Sequence, residues 1–177
     1  TGLGGRHGYE EQLRRILEHS GARMAIGPEL LLEHLREAAK GLALDLITTA
    51  DDLQNIACQD PVIEPFQKGE ASHIQFSSGS TRYPSGILIT QEALLANAHS
   101  VGTDALNFTA NERVASWLPF YHDMGLVGCM LMAVTYQFPV DYIHTDAFAR
   151  RPLQWLQLIS DNKCTIAFSP SFGYEIC

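Results

Sequence analysis

Residues 75–86 read Gln75-Phe76-Ser77-Ser78-Gly79-Ser80-Thr81-Arg82-Tyr83-Pro84-Ser85-Gly86, and no other stretch is as informative about this chain. An apolar-edged run, Ser72–Phe76, leads into it and a second, Gly86–Thr90, follows, so each run predicts a strand. Eight of the ten residues at 77–86 are Ser, Thr, Gly or Pro. Glycine lets backbone N–H groups approach a ligand closely, and successive N–H groups in a turn form an anion-binding concavity. The pattern predicts two strands joined by a phosphate-binding loop.

The side chains of this loop suit the phosphates of a nucleotide. Hydroxyl donors stand at Ser77, Ser78, Ser80 and Thr81. Gly79 and Gly86 allow close backbone approach, and Arg82 offers a planar fork of N–H donors for phosphate oxygens. A Walker A loop is excluded, because Pro84 stands five residues after Gly79 with no Lys behind it. A Ser/Gly-rich surface hairpin that binds nothing fits the composition equally well.

Composition bounds the class of protein. With 177 residues, 46% of them hydrophobic and 18% charged, the chain can bury a sizeable core. A formal net charge of −8 argues against nucleic acid or an acidic membrane surface as a partner. No apolar stretch is long enough to span a bilayer and no signal peptide opens the chain, so we expect a cytoplasmic protein. The four cysteines lie far apart, which favours buried thiols over a metal site or disulfides.

Helix and strand patterns alternate along the chain. Helical spacing or capping signals predict helices at 9–20, 28–38, 49–52, 91–106, 123–133 and 152–160. Strand patterns lie at 22–26, 42–47, 113–118, 138–143 and 164–168, besides the two beside the loop. The helix at 123–133 is apolar nearly all round, which predicts burial on every side. The fold class is therefore α/β, with a mainly parallel sheet flanked by helices.

A second informative stretch is Trp117-Leu118-Pro119-Phe120-Tyr121-His122-Asp123-Met124-Gly125-Leu126. A strand ends at Pro119 and a helix begins near Asp123, so His122 is expected at the carboxyl end of a strand, where open α/β sheets bind ligands. His122 could hydrogen-bond a substrate carboxylate or a phosphate oxygen. A structural histidine bonded to a backbone carbonyl is the alternative. Asp123 fits a helix cap better than a catalytic acid.

The two stretches together resemble the adenylate-forming superfamily, which includes acyl-CoA synthetases and adenylation domains. Residues 77–86 are similar to its loop Thr/Ser-Ser-Gly-Ser/Thr-Thr-Gly-x-Pro-Lys-Gly, except that Arg82 replaces Gly and Ser85 replaces Lys. Both replacements are usual in one subfamily, the fatty acyl-AMP ligases. Residues 116–126, 151–156 and 169–175 also resemble motifs of that subfamily. The resemblance is firm from about residue 72 onward.

This resemblance implies a fold and a reaction. The chain would be a fragment of one larger N-terminal adenylation domain over 1–177, with a candidate subdomain boundary near 57–71. The whole protein would join a fatty acid to the α-phosphate of ATP, releasing pyrophosphate, and pass the acyl group to the phosphopantetheine thiol of an acyl carrier protein. Mg²⁺ would bridge the phosphates. We expect residues 1–177 alone to be inactive, because the family's later motifs are absent from them.

Roles follow from the matched positions. Residues Ser77, Ser78, Gly79, Ser80, Thr81 and Gly86 would hold the β- and γ-phosphates. Arg82 would neutralise charge as pyrophosphate leaves, and His122 would orient the carboxylate as the one catalytic side chain. No protein side chain is predicted to bind a resident metal. A fatty acyl-CoA ligase on the same scaffold, or a non-catalytic fragment that binds a nucleotide or an acyl chain, are the alternatives.

Overall fold

The computed structural model describes residues 5–56, 62, 64–77, 84–109 and 111–177. The chain forms two compact units, Thr1–Gln91 and Glu92–Cys177. The boundary predicted near 57–71 lies partly outside the described residues and stays a prediction. Within the described ranges, no helix combines the length and the apolar composition that crossing a membrane requires.

The first unit opens with helices packed beside a short parallel sheet. Its elements are α1 (Gly5–Ser20), β1 (Met24–Ile26), α2 (Leu32–Ala38), β2 (Leu46–Thr48) and α3 (Ala50–Gln54). Helix α1 ends where Gly21 adopts a positive φ of +62°, a conformation that glycine reaches without a Cβ clash. Strands β1 and β2 pair in parallel, with Ala25 opposite Ile47. Leu17 and Ala38 pack from the two longer helices into the core of this part of the unit.

A β-hairpin completes the first unit. Its strands are β3 (Ala71–Ser77) and β4 (Ser85–Thr90), which pair antiparallel with Ser77 opposite Ser85. The two strands predicted on either side of the Ser/Gly-rich loop are therefore present. Their pairing brings the two ends of the loop together, because Ser77 and Ser85 are direct partners in the ladder.

The second unit contains the candidate site. Its elements are α4 (Gln91–His99), a π-helical segment (Ser100–Ala105), β5 (Val114–Ser116), α5 (Asp123–Gly125), a second π-helical segment (Leu126–Leu131), α6 (Met132–Tyr136), β6 (Val140–Tyr142), α7 (Thr145–Arg150), α8 (Leu153–Asn162) and α9 (Ser171–Glu175). Strands β5 and β6 run parallel, and Val114 also forms a parallel bridge to Ile166 on its other side. Strand β5 is therefore central, and the predicted α/β fold with mainly parallel pairing is confirmed.

Strand β5 is buried along its whole length, and an aromatic cluster packs beyond it. The ring of Trp117 stacks on Phe148 with centroids 3.9 Å apart and an interplanar angle of 7°. Trp155 meets Trp117 edge-on and donates its indole N–H to the carbonyl of Ala115 at 3.2 Å. Burying each of these large side chains contributes about 1.5–3 kcal/mol, so the cluster anchors the end of the strand.

Two predicted elements differ from the structure. The segment after Asp123 is helical but is not buried on every side, since Cys129 is 1% exposed while Met130 is 37% exposed. Only one face of this helix packs on the core of its unit. The strand predicted at 164–168 is reduced to the bridge at Ile166. Thr165 and Ile166 both donate their N–H to the carbonyl of Arg113, and two successive donors to one acceptor interrupt the regular ladder.

An ion pair links β6 to the residue that precedes β5. Arg113 donates Nε to Oδ2 of Asp141 at 2.6 Å and a terminal N–H to Oδ1 at 2.8 Å. These hydrogen bonds favour the charged carboxylate and lower the pKa of Asp141 below its usual value. Because the folded pKa is depressed, the ion pair stabilises the fold above the usual aspartate pKa, and this stabilisation is lost as the pH falls through the lowered value.

We predict that Asp141→Asn lowers the free energy of unfolding at neutral pH by about 1 kcal/mol, because the charge-assisted bonds to Arg113 are lost. The difference from the wild type should shrink below about pH 4, where aspartate begins to protonate. Urea denaturation at several pH values measures both effects. The exposed Asp104→Asn is the control, and an equal loss at acid and neutral pH for Asp141→Asn would contradict the prediction.

Candidate active site at the end of strand β5

Hydrogen bonds fix the backbone where strand β5 ends. The buried hydroxyl of Ser116 accepts the N–H of Leu118 at 3.1 Å, and the carbonyl of Ser116 accepts the N–H of Ile143 at 2.9 Å. The carbonyl of Trp117 accepts the hydroxyl of Thr145 at 2.9 Å. The residues that follow therefore leave the sheet along a fixed path at the carboxyl end of the parallel strands, as predicted for the ligand-binding edge.

A tight turn carries His122 from the strand to the helix. The N–H of His122 bonds to the carbonyl of Pro119 at 3.2 Å, and the carbonyl of His122 accepts the N–H of Leu126 at 2.9 Å. His122 is the N-cap residue of α5, with extended backbone angles. A Cβ on Gly125 would stand 2.3 Å from the carbonyl oxygen of Pro119. Only glycine allows the turn and the helix to pack this closely.

His122 and Asp123 form an exposed pair at the start of this helix. Nδ1 of His122 lies 2.7 Å from Oδ1 of Asp123, and the side chains are 61% and 70% exposed. The N–H of Met124 lies 2.7 Å from the same carboxylate oxygen and 3.3 Å from Nδ1. The carboxylate is the closer acceptor, so Asp123 caps its own first turn, as its position in the sequence suggested.

The geometry assigns the two ring nitrogens of His122 different tasks. A proton on Nδ1 satisfies the short contact with the Asp123 carboxylate, which leaves Nε2 for a ligand. When the ring is doubly protonated, Nε2 donates to an anionic oxygen while Asp123 balances the charge. This arrangement is compatible with a hydrogen bond from Nε2 to a carboxylate, and the role predicted for His122 stays a prediction.

Sequence reasoning missed one aromatic residue beside this turn, Tyr142. The ring of Tyr142 packs edge-on against Phe120 with centroids 4.8 Å apart. Tyr142 is the last residue of β6, and Ser116 is its partner in β5. The rule that ligands bind at the carboxyl ends of parallel strands could have identified it, because its strand was predicted.

Most of the predicted phosphate loop lies outside the described residues. Ser78, Gly79, Ser80, Thr81 and Arg82 are in this group, and their roles stay predictions. Ser77 ends β3, and Gly86 lies in β4 opposite Phe76. A Cβ on Gly86 would stand 3.0 Å from side-chain atoms of both Ile74 and Phe76, so packing within the hairpin is one physical reason for glycine there.

The hydrogen-bond donors in the Ser/Gly-rich loop suit the phosphates of ATP. The hairpin brings together the ends of a loop rich in hydroxyl and backbone N–H donors, with one arginine, and such groups bind phosphate oxygens. Within the described ranges no three metal-ligating side chains converge. Mg²⁺ usually keeps several waters and binds through substrate phosphates, and its presence here stays a prediction.

A parallel α/β sheet with an exposed histidine at its carboxyl edge, in a chain that also carries a Ser/Gly-rich loop, is typical of a ligand-binding enzyme domain. Residues 7–176 match the family model described as AMP-binding enzyme. The chain therefore belongs to the AMP-binding enzyme family, and the predicted membership of the adenylate-forming superfamily is confirmed.

Several named proteins are similar to this chain. A Caulobacter vibrioides protein named as an acyl-CoA synthetase is 44% identical over 100% of this chain and 31% of its own length. A medium-chain-fatty-acid–[acyl-carrier-protein] ligase of Teredinibacter turnerae is 40% identical over 65% of this chain and 18% of its own length. A solved structure from a study of fatty acyl-adenylate ligases of E. coli and L. pneumophila is 35% identical, with a TM-score of 0.89 over 100% of this chain and 32% of that one. The resemblance to fatty acyl-AMP ligases is thus confirmed, and the chain spans less than a third of these relatives.

We predict that Gly125→Ala destabilises the second unit by about 1–3 kcal/mol, because its Cβ would overlap the carbonyl of Pro119. The turn must shift to relieve the overlap. Urea denaturation measures the loss of stability. Gly69→Ala is the control, since a Cβ there meets nothing within 4 Å. Equal behaviour of the two variants would contradict the close packing.

Proposed function

We propose that the full-length protein activates a fatty acid with ATP, forming an acyl-adenylate and pyrophosphate, and then transfers the acyl group to an acyl carrier protein in the cytoplasm. The first step joins a carboxylate oxygen to the α-phosphorus and breaks the bond from that phosphorus to the pyrophosphate oxygen. In the second step the carrier's thiol bonds to the acyl carbon, and AMP leaves. Positioning and charge stabilisation dominate such phosphate chemistry. The protein must therefore hold the triphosphate, orient the carboxylate and neutralise the departing charge.

The observation that carries the proposal is the placement of His122. Its backbone is fixed by the buried end of β5, its Nδ1 contacts Asp123, and its Nε2 is left for a ligand. With a proton on each ring nitrogen, Nδ1–H donates to Asp123 and Nε2–H can donate to one carboxylate oxygen, so that the other oxygen attacks. The resemblance assigns the triphosphate to Ser77–Thr81 and Gly86, with Arg82 beside the leaving pyrophosphate. Mg²⁺ would add charge neutralisation on the phosphates when bound.

We predict that His122→Asn in the full-length enzyme lowers the rate of fatty-acid-dependent ATP–pyrophosphate exchange about hundredfold, a typical loss for one oriented donor. Asparagine keeps the helix cap, so the fold should survive. His144→Asn is the matched control, because His144 also caps a helix, α7, and is similarly exposed. Exchange in His122→Asn at the wild-type rate would refute the role of His122, and no exchange by the wild type with any fatty acid would refute the proposed function.

Arg82 offers a second test. The planar guanidinium can grip two phosphate oxygens at once, whereas a lysine ammonium is a point charge. We predict that Arg82→Lys and Arg82→Ala both slow the exchange, by about tenfold or more, with lysine restoring only part of the loss. Arg23→Lys, at an exposed ion pair with Asp45, is the control. Full activity in Arg82→Ala would show that Arg82 does not serve the leaving group.

The acceptor of the acyl group has two candidates. Arg82 and Ser85 resemble the fatty acyl-AMP ligase form of the loop, and the Teredinibacter relative is named for a carrier-protein acceptor. The relative that aligns over the whole chain is named as a CoA synthetase, which favours CoA as the second candidate. Incubating the full-length enzyme with ATP and a fatty acid, then adding either CoA or a phosphopantetheinylated carrier protein, distinguishes them. We expect the acylated carrier protein as the product, and acyl-CoA alone would favour the second candidate.

A further inference from the structure

Tyr142 stands at the same edge of the sheet as His122. Strands β5 and β6 are parallel neighbours, with Ser116 and Tyr142 paired at their carboxyl ends. Along β6, Asp141 points to one face, where it binds Arg113, so Tyr142 points to the other. The chain continues from β5 into the turn that carries His122. Tyr142 thus lies beside the ligand-binding edge and is not part of the Arg113–Asp141 pair.

The surroundings of Tyr142 suit a carbon chain better than a phosphate. Its ring packs edge-on against Phe120, and the two side chains are 43% and 45% exposed. Buried Cys129, in the π-helical segment Leu126–Leu131, lies close to Tyr142. Among the described residues, no cationic side chain is a cause of the shift in the pKa of its hydroxyl. A ligand that reaches this place meets aromatic surface with one polar atom.

That polar atom is a hydroxyl without a hydrogen-bond partner in the described part of the chain. Burial raises the pKa of Tyr142 to about 12, with nearby Cys129 as a smaller cause. The group is therefore a neutral O–H donor at any physiological pH. The side chain is 43% exposed, so water reaches the hydroxyl in the free protein. A ligand that covers the hydroxyl with a methylene removes that water and leaves the donor unpaired, whereas a ligand that supplies an acceptor oxygen replaces the lost hydrogen bond.

We propose that Tyr142 determines specificity by donating a hydrogen bond to an oxygen substituent on the acyl chain, so that the enzyme prefers hydroxy- or oxo-substituted carboxylic acids. The inference rests on the proposed function, in which His122 holds the carboxylate. The chain of the acid then starts at His122 and passes the aromatic pair of Phe120 and Tyr142. Tyr142 does not touch the reacting atoms, so its effect falls on the choice between acids.

The test compares decanoic acid with the monohydroxydecanoic acids, a set of isomers in which the hydroxyl is moved along the chain one carbon at a time. ATP–pyrophosphate exchange by the full-length enzyme gives kcat/KM for each acid. We expect the wild type to favour at least one isomer over decanoic acid by about tenfold, the size of one unpaired donor. In Tyr142→Phe this preference should vanish, because kcat/KM should fall more for the preferred hydroxy acid than for decanoic acid. Tyr9→Phe, on a tyrosine of α1, should keep the preference.

Three results would overturn the inference: no preference in the wild type, an undiminished preference in Tyr142→Phe, or an equal loss for both classes of acid. The last would show that Tyr142 only supports the turn through Phe120. Failure of the proposed function looks different, because then no acid of the series supports exchange in the wild type. Circular dichroism of Tyr142→Phe confirms that the variant is folded.

Discussion

The stack of Trp117 on Phe148 is the contact on which the second unit depends. It covers the end of a fully buried strand, and Trp155 closes the cluster by bonding to the strand's own backbone. Because interiors are packed as densely as crystals of small molecules, such a cluster permits only one position for the strand end. The location of His122, five residues beyond Trp117, is a consequence of that packing. The side chain needs no contact of its own with the core.

The turn after the strand converts this fixed end into a binding edge. Its compactness depends on the missing Cβ of Gly125, and its direction on the hydrogen bonds that His122 makes with both flanking segments. The helix that follows contains a π-helical stretch, Leu126–Leu131, and such stretches occur frequently at functional sites. The exposed polar groups of this turn are thus attached to a well-packed backbone, which holds them in a fixed orientation.

The sequence predicted the elements whose signals are local. Apolar alternation at Ser72–Phe76 and the run before Pro119 were sufficient for β3 and β5, and the His122–Asp123 pair was placed correctly at a helix start. Burial of the helix after Asp123 was overestimated, because apolar composition does not tell which faces meet a partner. Tyr142 was missed for a related reason. Its importance arises from pairing across strands and from the contact with Phe120, which are tertiary facts that spacing along one strand does not contain.

The account's central claim is that His122 holds the carboxyl group of the acid, and a crystal structure of the full-length enzyme with a non-hydrolysable acyl-adenylate analogue tests it most directly. The account predicts Nε2 of His122 at about 2.7–3.2 Å from an oxygen of the acyl-phosphate linkage, with Nδ1 still bonded to Asp123. An analogue bound with its acyl-phosphate linkage beyond hydrogen-bond reach of His122 would contradict the claim.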